Sequence, residues 1–196
     1  MIGRNESRLL LTVIRQLETK RLWLRPLTLE DAVQIQERFP HWEIVRLLSA
    51  VVPWPYPPDG ALTFCRDIAL PQMARGEAWF WTIRLKDDPD QVIGVINLTK
   101  GQNKNRGFWI GLDWQGRGFA TEAAEAVTDF WFDELKFEVL RVPKAIANLP
   151  SRRISEKQHM RIVGIEDHDL VSGRAPAEIW EITADEWHAK PKPARS

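Results

Sequence analysis

Several short stretches of the chain alternate apolar and polar residues, and this period of two predicts β-strands. In the first of them, Leu22 and Leu24 alternate with Trp23 and Arg25, as expected of a half-buried strand. Strands are predicted over residues 19–27, 78–85, 91–98, 107–112 and 139–147. The sequence Asp-Asp-Pro-Asp at 87–90 is a strong turn signal, so the second and third strands should form a hairpin. A final hairpin is predicted from residues 161–172 and 176–182.

Other stretches have a period near 3.6, which predicts helices. The strongest covers residues 121–137, where alanine, valine and aromatic residues recur on the face that would pack against a sheet. Thr28 and the acidic residues after it are typical of a helix start, so we expect a helix through about Arg38. A short helix is predicted near 43–48, and a longer one over 60–75, with a kink or an early end at Pro71.

Charge and cysteine content exclude several classes of protein. The 27 basic and 27 acidic residues give a formal net charge of zero, which argues against a dedicated nucleic-acid-binding protein. Cys65 is the single cysteine, so no intramolecular disulfide can form, and we expect it to be a small apolar helix residue. The sequence has no His/Cys cluster with metal-ligand spacing, so no metal is expected. No stretch approaches the length needed to span a bilayer, and we expect a cytoplasmic protein that does not contact a membrane.

The two ends of the chain differ in character from the middle. Residues 1–16 are predicted to be an N-terminal extension, in which 9–14 could add an edge strand or pair with a partner, leaving a homodimer open. The apolar run there is too short for a signal peptide, and no small-residue cleavage site follows it. Residues 189–196 are rich in proline and lysine and predict a disordered tail. One globular domain of ordinary size should therefore span 17–188.

The segment 108–123 carries the most informative chemical signal. It begins as an apolar, aromatic strand, breaks at Gly116 and Gly118, and opens directly into the predicted helix. Glycines at such a turn permit positive φ and let a ligand approach the backbone closely. The helix start offers free N–H groups and a positive dipole end, which favour a phosphate, and Arg117 can add a charged contact. The segment predicts a pyrophosphate cradle, although it is neither a P-loop nor a Rossmann fingerprint.

The same segment resembles a known motif. Gln115, Gly118 and Ala120, preceded by Phe-Trp-Ile-Gly and followed by Thr-Glu-Ala, resemble the acetyl-CoA pyrophosphate loop of the GNAT superfamily of N-acetyltransferases. The most similar branch is RimJ/RimL-like, the ribosomal-protein N-terminal acetyltransferases and their relatives. The resemblance covers roughly residues 17–188 and implies the GNAT acyl-CoA N-acyltransferase fold, of the α/β (α+β) class. In that fold a central, mostly antiparallel mixed sheet is flanked by helices, and two strands splay apart at the cofactor site.

The resemblance also implies a cofactor and the residues that contact it. The cofactor is acetyl-CoA, and an amide of the strand around Ile110 to Leu112 would stabilise the developing oxyanion. The residues assigned to the cofactor are Ile110, Gly111, Leu112, Gln115, Gly116, Arg117, Gly118, Phe119, Ala120, Thr121, Asn148 and Ser151. The pantetheine arm of the cofactor would enter between the splayed strands. Because a proline cannot donate to a ladder, we expect the nitrogen of Pro143 to lie at that gap or at an outer edge.

A second motif, at residues 148–157, strengthens the resemblance. In the family its Asn contacts the pantetheine arm and its Ser lies near the thiol, so these roles fall on Asn148 and Ser151. Ser151 is our candidate for protonating the leaving thiolate, with a helix-capping role as the alternative. Gln158-His159-Met160 departs from the Leu-Gly-Phe of the family. His159 must therefore adopt a left-handed conformation or reshape the end of the helix.

The acceptor side is less well defined by the sequence. In the resembling family, the region of the second helix and a Pro-Trp-Pro loop lines the acceptor site, so Trp42, Trp54 and Tyr56 would face the substrate. Packing of these three rings onto the sheet is the alternative.

The general base is also open. Many relatives place a Glu just before the strand that leads into the loop, whereas this chain has Asn105 and Arg106 there. His41, Glu43 and Asp113 are candidate bases because the inferred fold brings them near the site. The first two are preferred.

The sequence thus predicts an acetyl-CoA-dependent N-acetyltransferase in which a neutral primary amine attacks the thioester directly, without an acyl-enzyme. The preferred acceptor is a protein N-terminal α-amine of the ribosomal-protein type. A small-molecule amine is the first alternative. A catalytically silent acyl-CoA-binding sensor or interaction module is the alternative from another class.

Overall fold

The computed structural model describes residues 14–189, so the expectations for residues 1–13 and 190–196 lie outside the described part of the chain. Within it, the strands form two antiparallel sheets, with the orders β1-β2-β3-β4-β5 and β6-β8-β7. The strands are β1 (Leu17–Glu18), β2 (Leu22–Pro26), β3 (Ala78–Leu85), β4 (Gly94–Thr99), β5 (Arg106–Ile110), β6 (Val139–Ala145), β7 (Arg161–Leu170) and β8 (Gly173–Thr183). Both predicted hairpins are confirmed, since β3 pairs with β4 and β7 pairs with β8.

Helices cover the sheets and connect the strands. They are α1 (Ala32–Arg38), α2 (Trp42–Val45), α3 (Gly60–Thr63), α4 (Leu70–Ala74), α5 (Phe119–Asp133), α6 (Leu149–Lys157) and α7 (Ala184–His188). A π-helix, Phe64–Ala69, joins α3 to α4, and a 3₁₀ turn, Leu112–Trp114, follows β5. An antiparallel five-stranded sheet flanked by helices confirms the predicted fold class.

The principal core lies between α5 and the larger sheet. The alternation in β2 is explained by this core, because Leu22 and Leu24 are fully buried in it. On the helix side, the ring of Phe130 meets that of Trp81 edge-on, with centroids 5.2 Å apart. A second cluster covers the other face of the sheet and includes Cys65, which is fully buried as expected. Burial raises the pKa of the Cys65 thiol to about 11, so the thiol stays protonated and weakly nucleophilic at neutral pH.

Two helix predictions need correction. The helix expected directly after Thr28 begins only at Ala32, because the Asp31 carboxylate accepts hydrogen bonds from the Thr28 N–H at 2.8 Å and from Arg84 at 2.5 Å instead of capping a helix. The helix over 60–75 is continuous but changes to π geometry before Pro71, which then lies in the first turn of α4. Because a proline nitrogen carries no hydrogen, it cannot continue the α-helical hydrogen-bond pattern, and the change to π geometry lies directly before it.

The two sheets meet where β5 and β6 begin and then diverge. The Asn105 N–H donates to the Arg141 carbonyl, and the Arg141 N–H donates to the Asn105 side chain, both at 2.8 Å. Directly after β6, the Ile146 N–H donates to the carbonyl of Pro176 in β8. Because backbone groups alternate sides along a strand, the nitrogen of Pro143 faces β5 and not β8. The predicted position of Pro143 at the gap is confirmed.

Close packing next to this gap gives a stability prediction. A Cβ atom added at Gly94 would lie 2.4 Å from the Trp109 carbonyl oxygen, so Gly94→Ala must push β4 and β5 apart. We expect the substitution to lower the free energy of unfolding by about 1–3 kcal/mol, as measured by urea denaturation. Gly164→Ala is the matched control, because no atom lies within 4 Å of its added Cβ. The control should change stability by less than about 0.5 kcal/mol. Equal stabilities for the two variants would contradict the packing argument.

Candidate functional site

A cavity of about 670 Å³ lies between the diverging strands β5 and β6 and reaches the starts of α5 and α6 and the surface of α2. Many of the residues predicted from the sequence form its wall. These are Glu43, Ile110, Gln115, Gly116, Gly118, Phe119, Ala120, Thr121, Asn148 and Ser151. The structure therefore brings both sequence motifs into one site, although they lie some thirty residues apart in the chain.

The glycine turn has the conformation that its residues predicted. Gly116 and Gly118 have φ of 74° and 82°, and Gly118 directly precedes the first residue of α5. No side chain caps this end of α5, so the first N–H groups stay available to a ligand. No atom lies within 4 Å of a Cβ added at Gly116. The turn therefore leaves open space beside its backbone.

An arginine that sequence reasoning missed holds this turn from outside. Arg21, just before β2, donates to the Arg117 carbonyl at 3.0 Å and pairs with Glu122 at 2.7 Å. Its guanidinium also lies 4.6 Å from the centroid of the Phe119 ring. Because Arg21 is 96 residues from the carbonyl that it binds, no local sequence pattern could have shown this contact.

Backbone groups at the end of β5 point into the gap. The Gly111 N–H donates to the Ile93 carbonyl at 2.9 Å, so by alternation the N–H and carbonyl of Ile110 face away from β4. The Gln115 side chain donates to the Ile110 carbonyl at 2.9 Å, which leaves the Ile110 N–H as a donor facing the gap. Gly111, Leu112 and Arg117 do not belong to the cavity wall, unlike the other predicted cofactor residues.

The start of α6 also follows the sequence prediction. The Asn148 side chain caps the helix by accepting the Ser151 N–H at 3.2 Å, and Pro150 lies in the first turn. The Ser151 side chain is buried and lies in the cavity wall. At the other end of the helix, His159 has a φ of 53°. The left-handed option for His159 is confirmed, and the helix end keeps the geometry for which glycine is usually chosen.

Two buried cations in the wall were not predicted as site residues. Lys144 on β6 donates from Nζ to Ser151 Oγ at 2.8 Å, and Nζ lies 4.9 Å from the centroid of the Phe108 ring. Arg106 on β5 donates to Thr128 Oγ1 at 2.6 Å, while its Nε and Nη2 have no partner among the described residues. Burial, together with the Arg106 charge, lowers the pKa of Lys144 well below its usual range. Burial lowers the pKa of Arg106 to about 10. The signal in the sequence that could have indicated these two site residues was a polar side chain at an inward-facing position of a strand.

On the acceptor side, the predicted residues separate into two groups. Glu43 on α2 lies in the cavity wall, whereas His41 is exposed and lies outside it. Trp42 and Trp54 form an exposed pair with ring centroids 5.6 Å apart, also outside the wall.

Two further candidates have other surroundings. Tyr56 packs edge-on against Phe39, with centroids 5.1 Å apart, as the packing alternative expected. Asp113 is exposed in the 3₁₀ turn and does not belong to the cavity wall.

The charge of the cavity wall suits an anionic ligand. Its cationic side chains are Arg46, Arg106, Lys144, Arg153 and Lys157, and its single carboxylate is Glu43. Coenzyme A carries a pyrophosphate and a further phosphate, so a basic wall beside a helix start fits its charge. Gly116 leaves the backbone open beside the turn where a pyrophosphate would bind, and the gap beside Pro143 is open where the pantetheine arm would enter. The residues present therefore fit acetyl-CoA.

Residues 14–189 hold neither a cluster of metal ligands nor a helix suited to crossing a membrane. No group of three or more His, Cys, Asp or Glu side chains in this range could hold a metal ion. Among the same residues, no helix is both long and apolar enough to cross a membrane.

Comparison with known proteins identifies the family. The acetyltransferase (GNAT) domain profile matches residues 21–161. The uncharacterized N-acetyltransferase YnaD of Bacillus subtilis is 26% identical over 179 residues, which cover 87% of this chain and 98% of YnaD.

Solved structures share the fold at low sequence identity. The ribosomal-protein-S5-alanine acetyltransferase of Vibrio fischeri superposes with a TM-score of 0.73 at 15% identity, covering 90% of this chain and 99% of that one. Mycobacterium smegmatis RimJ, solved in complex with CoA-disulfide, superposes with a TM-score of 0.72 at 19% identity, covering 84% of this chain and 83% of that one. Because the family profile spans most of the chain, the protein belongs to the GNAT acetyltransferase family, which confirms the predicted enzyme class and its acetyl-CoA cosubstrate.

Proposed function

We propose that this protein transfers the acetyl group of acetyl-CoA to the α-amine of a protein N-terminus, as a RimJ/RimL-like enzyme in the cytoplasm. The observation that carries the proposal is the single cavity that joins the phosphate-binding turn, the gap between β5 and β6, and Glu43 on the acceptor side. The name of the Vibrio fischeri neighbour given above, a ribosomal-protein-S5-alanine acetyltransferase, supports this acceptor class.

The cavity wall assigns a role to each group. The backbone of the turn at Gly116 and Gly118 and the start of α5 would hold the pyrophosphate, with Arg153 and Lys157 adding positive charge. When bound, acetyl-CoA supplies an activated acetyl group as a thioester. The Ile110 N–H, which faces the gap, would stabilise negative charge on the acetyl oxygen.

Two side chains would handle the acceptor amine and its proton. Glu43 is the carboxylate of the wall, so it would attract an ammonium group and position it for deprotonation. Ser151 would protonate the departing sulfur. Trp42 and Trp54, which form an exposed pair beside Glu43, offer apolar surface to the residues that follow the acceptor amine.

The cofactor site can be tested by calorimetry. Acetyl-CoA should bind the intact protein with micromolar affinity, and Gly118→Glu should weaken binding by at least about 100-fold, because it places a negative charge and a strained side chain in the turn. Gly101→Glu is the matched control, since Gly101 also has positive φ, at 139°, but lies outside the cavity wall. Equal loss of binding in both variants would assign the effect to backbone strain and refute the assigned position of the pyrophosphate.

Ser151→Ala separates a chemical role from a binding role. If Ser151 protonates the sulfur, the variant should lower kcat by about 100-fold and leave the affinity for acetyl-CoA unchanged. Release of free thiol measures the rate, and calorimetry measures binding. Parallel losses of rate and affinity would show instead that Ser151 belongs to the cofactor-binding surface.

The acceptor class is tested with paired substrates. Peptides with a free N-terminal serine or alanine should be acetylated, and the same peptides with a blocked N-terminus should not. Spermidine and free amino acids provide the small-molecule arm. Faster turnover of a small amine than of every peptide would overturn the proposed acceptor while keeping the enzyme class. Glu43→Gln should raise KM for the favoured amine by about 10-fold, because it removes the carboxylate that faces the ammonium.

A further inference from the structure

Lys144 lies beside Ser151 in the wall of the gap, and the proposed function gives it no role. It is 5% exposed, and its Nζ donates to Ser151 Oγ at 2.8 Å. Buried lysines in proteins are generally paired with a carboxylate. Among the described residues, no carboxylate forms an ion pair with Lys144, and its other neighbours are the Phe108 ring and the Arg106 charge. An unpaired lysine in the wall of a reaction cavity needs an explanation in terms of function.

The charged groups that approach Lys144 from the neighbouring strands favour its neutral form or are already engaged. From β5, Arg106 adds a second buried positive charge that repels a protonated Lys144. From β8, Glu178 lies opposite Lys144 in the ladder, but its carboxylate accepts two hydrogen bonds from Arg152, at 2.8 and 2.9 Å, and one from Trp180.

Further charges line the same cavity. Arg153 and Lys157 from α6 and Arg46 from α2 add positive charge, and Glu43 is the carboxylate of this wall. Burial and the Arg106 charge therefore both lower the pKa of Lys144 and favour its neutral amine over its ammonium form.

A neutral amine in this position can reverse the hydrogen bond to Ser151. As an ammonium, Lys144 can only donate, whereas as a neutral amine it can accept the Ser151 hydroxyl proton. The same 2.8 Å contact then conducts a proton in either direction. Ser151 and Lys144 both lie in the cavity wall, and their hydrogen bond lets Ser151 exchange protons with a ligand while Lys144 stores them.

From this geometry we propose that Lys144 is a positioning residue that takes up and returns the transferred proton through Ser151. In the overall reaction a nitrogen–carbon bond forms, a carbon–sulfur bond breaks, and one proton moves from nitrogen to sulfur. Ser151 takes the proton from the amine nitrogen as it passes its own to Lys144. When the sulfur leaves, Ser151 gives it a proton and is restored by Lys144. Lys144 ends the cycle neutral, and no other reactant is needed.

The inference rests on the proposed function of the site, and its test uses variants that differ in proton chemistry. Lys144→Met keeps an unbranched apolar stem and removes the amine, and Lys144→Arg keeps a charge that cannot be released. Both should lower kcat by about 100-fold on the best acceptor peptide and change the affinity for acetyl-CoA by less than about threefold. Lys104→Met, at an exposed loop position, is the control and should retain wild-type rates. Circular dichroism confirms that each variant is folded.

The pH profile provides a readout that a purely structural role would not move. Because only neutral Lys144 can accept a proton, the rate should fall as pH decreases through the pKa of Lys144. Removing the Arg106 charge with Arg106→Met should raise that pKa and move this acidic limb to higher pH. The pH profile of the Lys144→Met variant should lack this acidic limb and keep only the limb that reflects titration of the acceptor amine. An acidic limb that is the same in the wild type and both variants would overturn the proposal.

Coupling between the two residues gives a second test. If Ser151 and Lys144 act in one relay, the Ser151→Ala, Lys144→Met double variant should be no slower than the slower single variant. Multiplicative losses would show independent roles and overturn the proposal. The intact mass of the protein after an acid quench tests for a covalent intermediate. An acetyl group retained on Ser151 would mean that Lys144 activates Ser151 as a nucleophile instead of relaying a proton.

Carbon-13 NMR of the lysine Cε distinguishes failure of this inference from failure of the proposed function. The Lys144 resonance, assigned by its loss in Lys144→Met, should titrate well below the other lysines without any substrate. A Lys144 that titrates with the surface lysines would overturn the relay even if the enzyme acetylates peptides. A low titration midpoint with no turnover of any amine would instead refute the proposed acceptor chemistry.

Discussion

The separation of β5 from β6 is the constraint on which the rest of the site depends. Two hydrogen bonds between Asn105 and Arg141 join the strands where they begin. Pro143 then presents a backbone nitrogen with no hydrogen toward the gap, so the ladder cannot continue there. An open gap leaves backbone donors such as the Ile110 N–H without a strand partner. Those same unpaired groups are what a ligand can bind, so the interruption of the sheet creates the site.

Both sides of the gap present reactive side chains to the cavity that an uninterrupted sheet would have covered. On the β6 side, Lys144 and Ser151 form a hydrogen-bonded pair, and on the β5 side Phe108 and Arg106 form the opposite wall. Arg106 and Lys144 have no carboxylate partner among the described residues, and a charge on either of them is costly in a buried position. Their presence beside a reaction cavity is consistent with the rule that local frustration concentrates at functional sites.

The sequence predicted those features that depend on local chemistry. The glycine turn and the left-handed option for His159 could be predicted directly, because each is determined by residues within a few positions of it. The hairpins and the α5 core face followed from periodicity for the same reason. The sequence did not identify Lys144 as a site residue, because its environment depends on Arg106 and Phe108, which lie on another strand. The roles of the acceptor-side aromatic residues could not be decided from the sequence, because a ring that lines a cleft and a ring that packs beneath it have the same local sequence pattern. In the structure, Tyr56 is a packing residue.

The contact of Arg21 with the glycine turn has a consequence for how the domain assembles. Arg21 precedes almost all of the larger sheet in the sequence, yet it donates a hydrogen bond to the carbonyl of Arg117, 96 residues later. The contact depends on β2 lying beside β3 and on α5 packing against both. Contacts of such long sequence separation form late, because the entropy of closing a long loop must be overcome first. The cofactor therefore recognises only the fully folded chain, and its binding free energy adds to the stability of the whole domain.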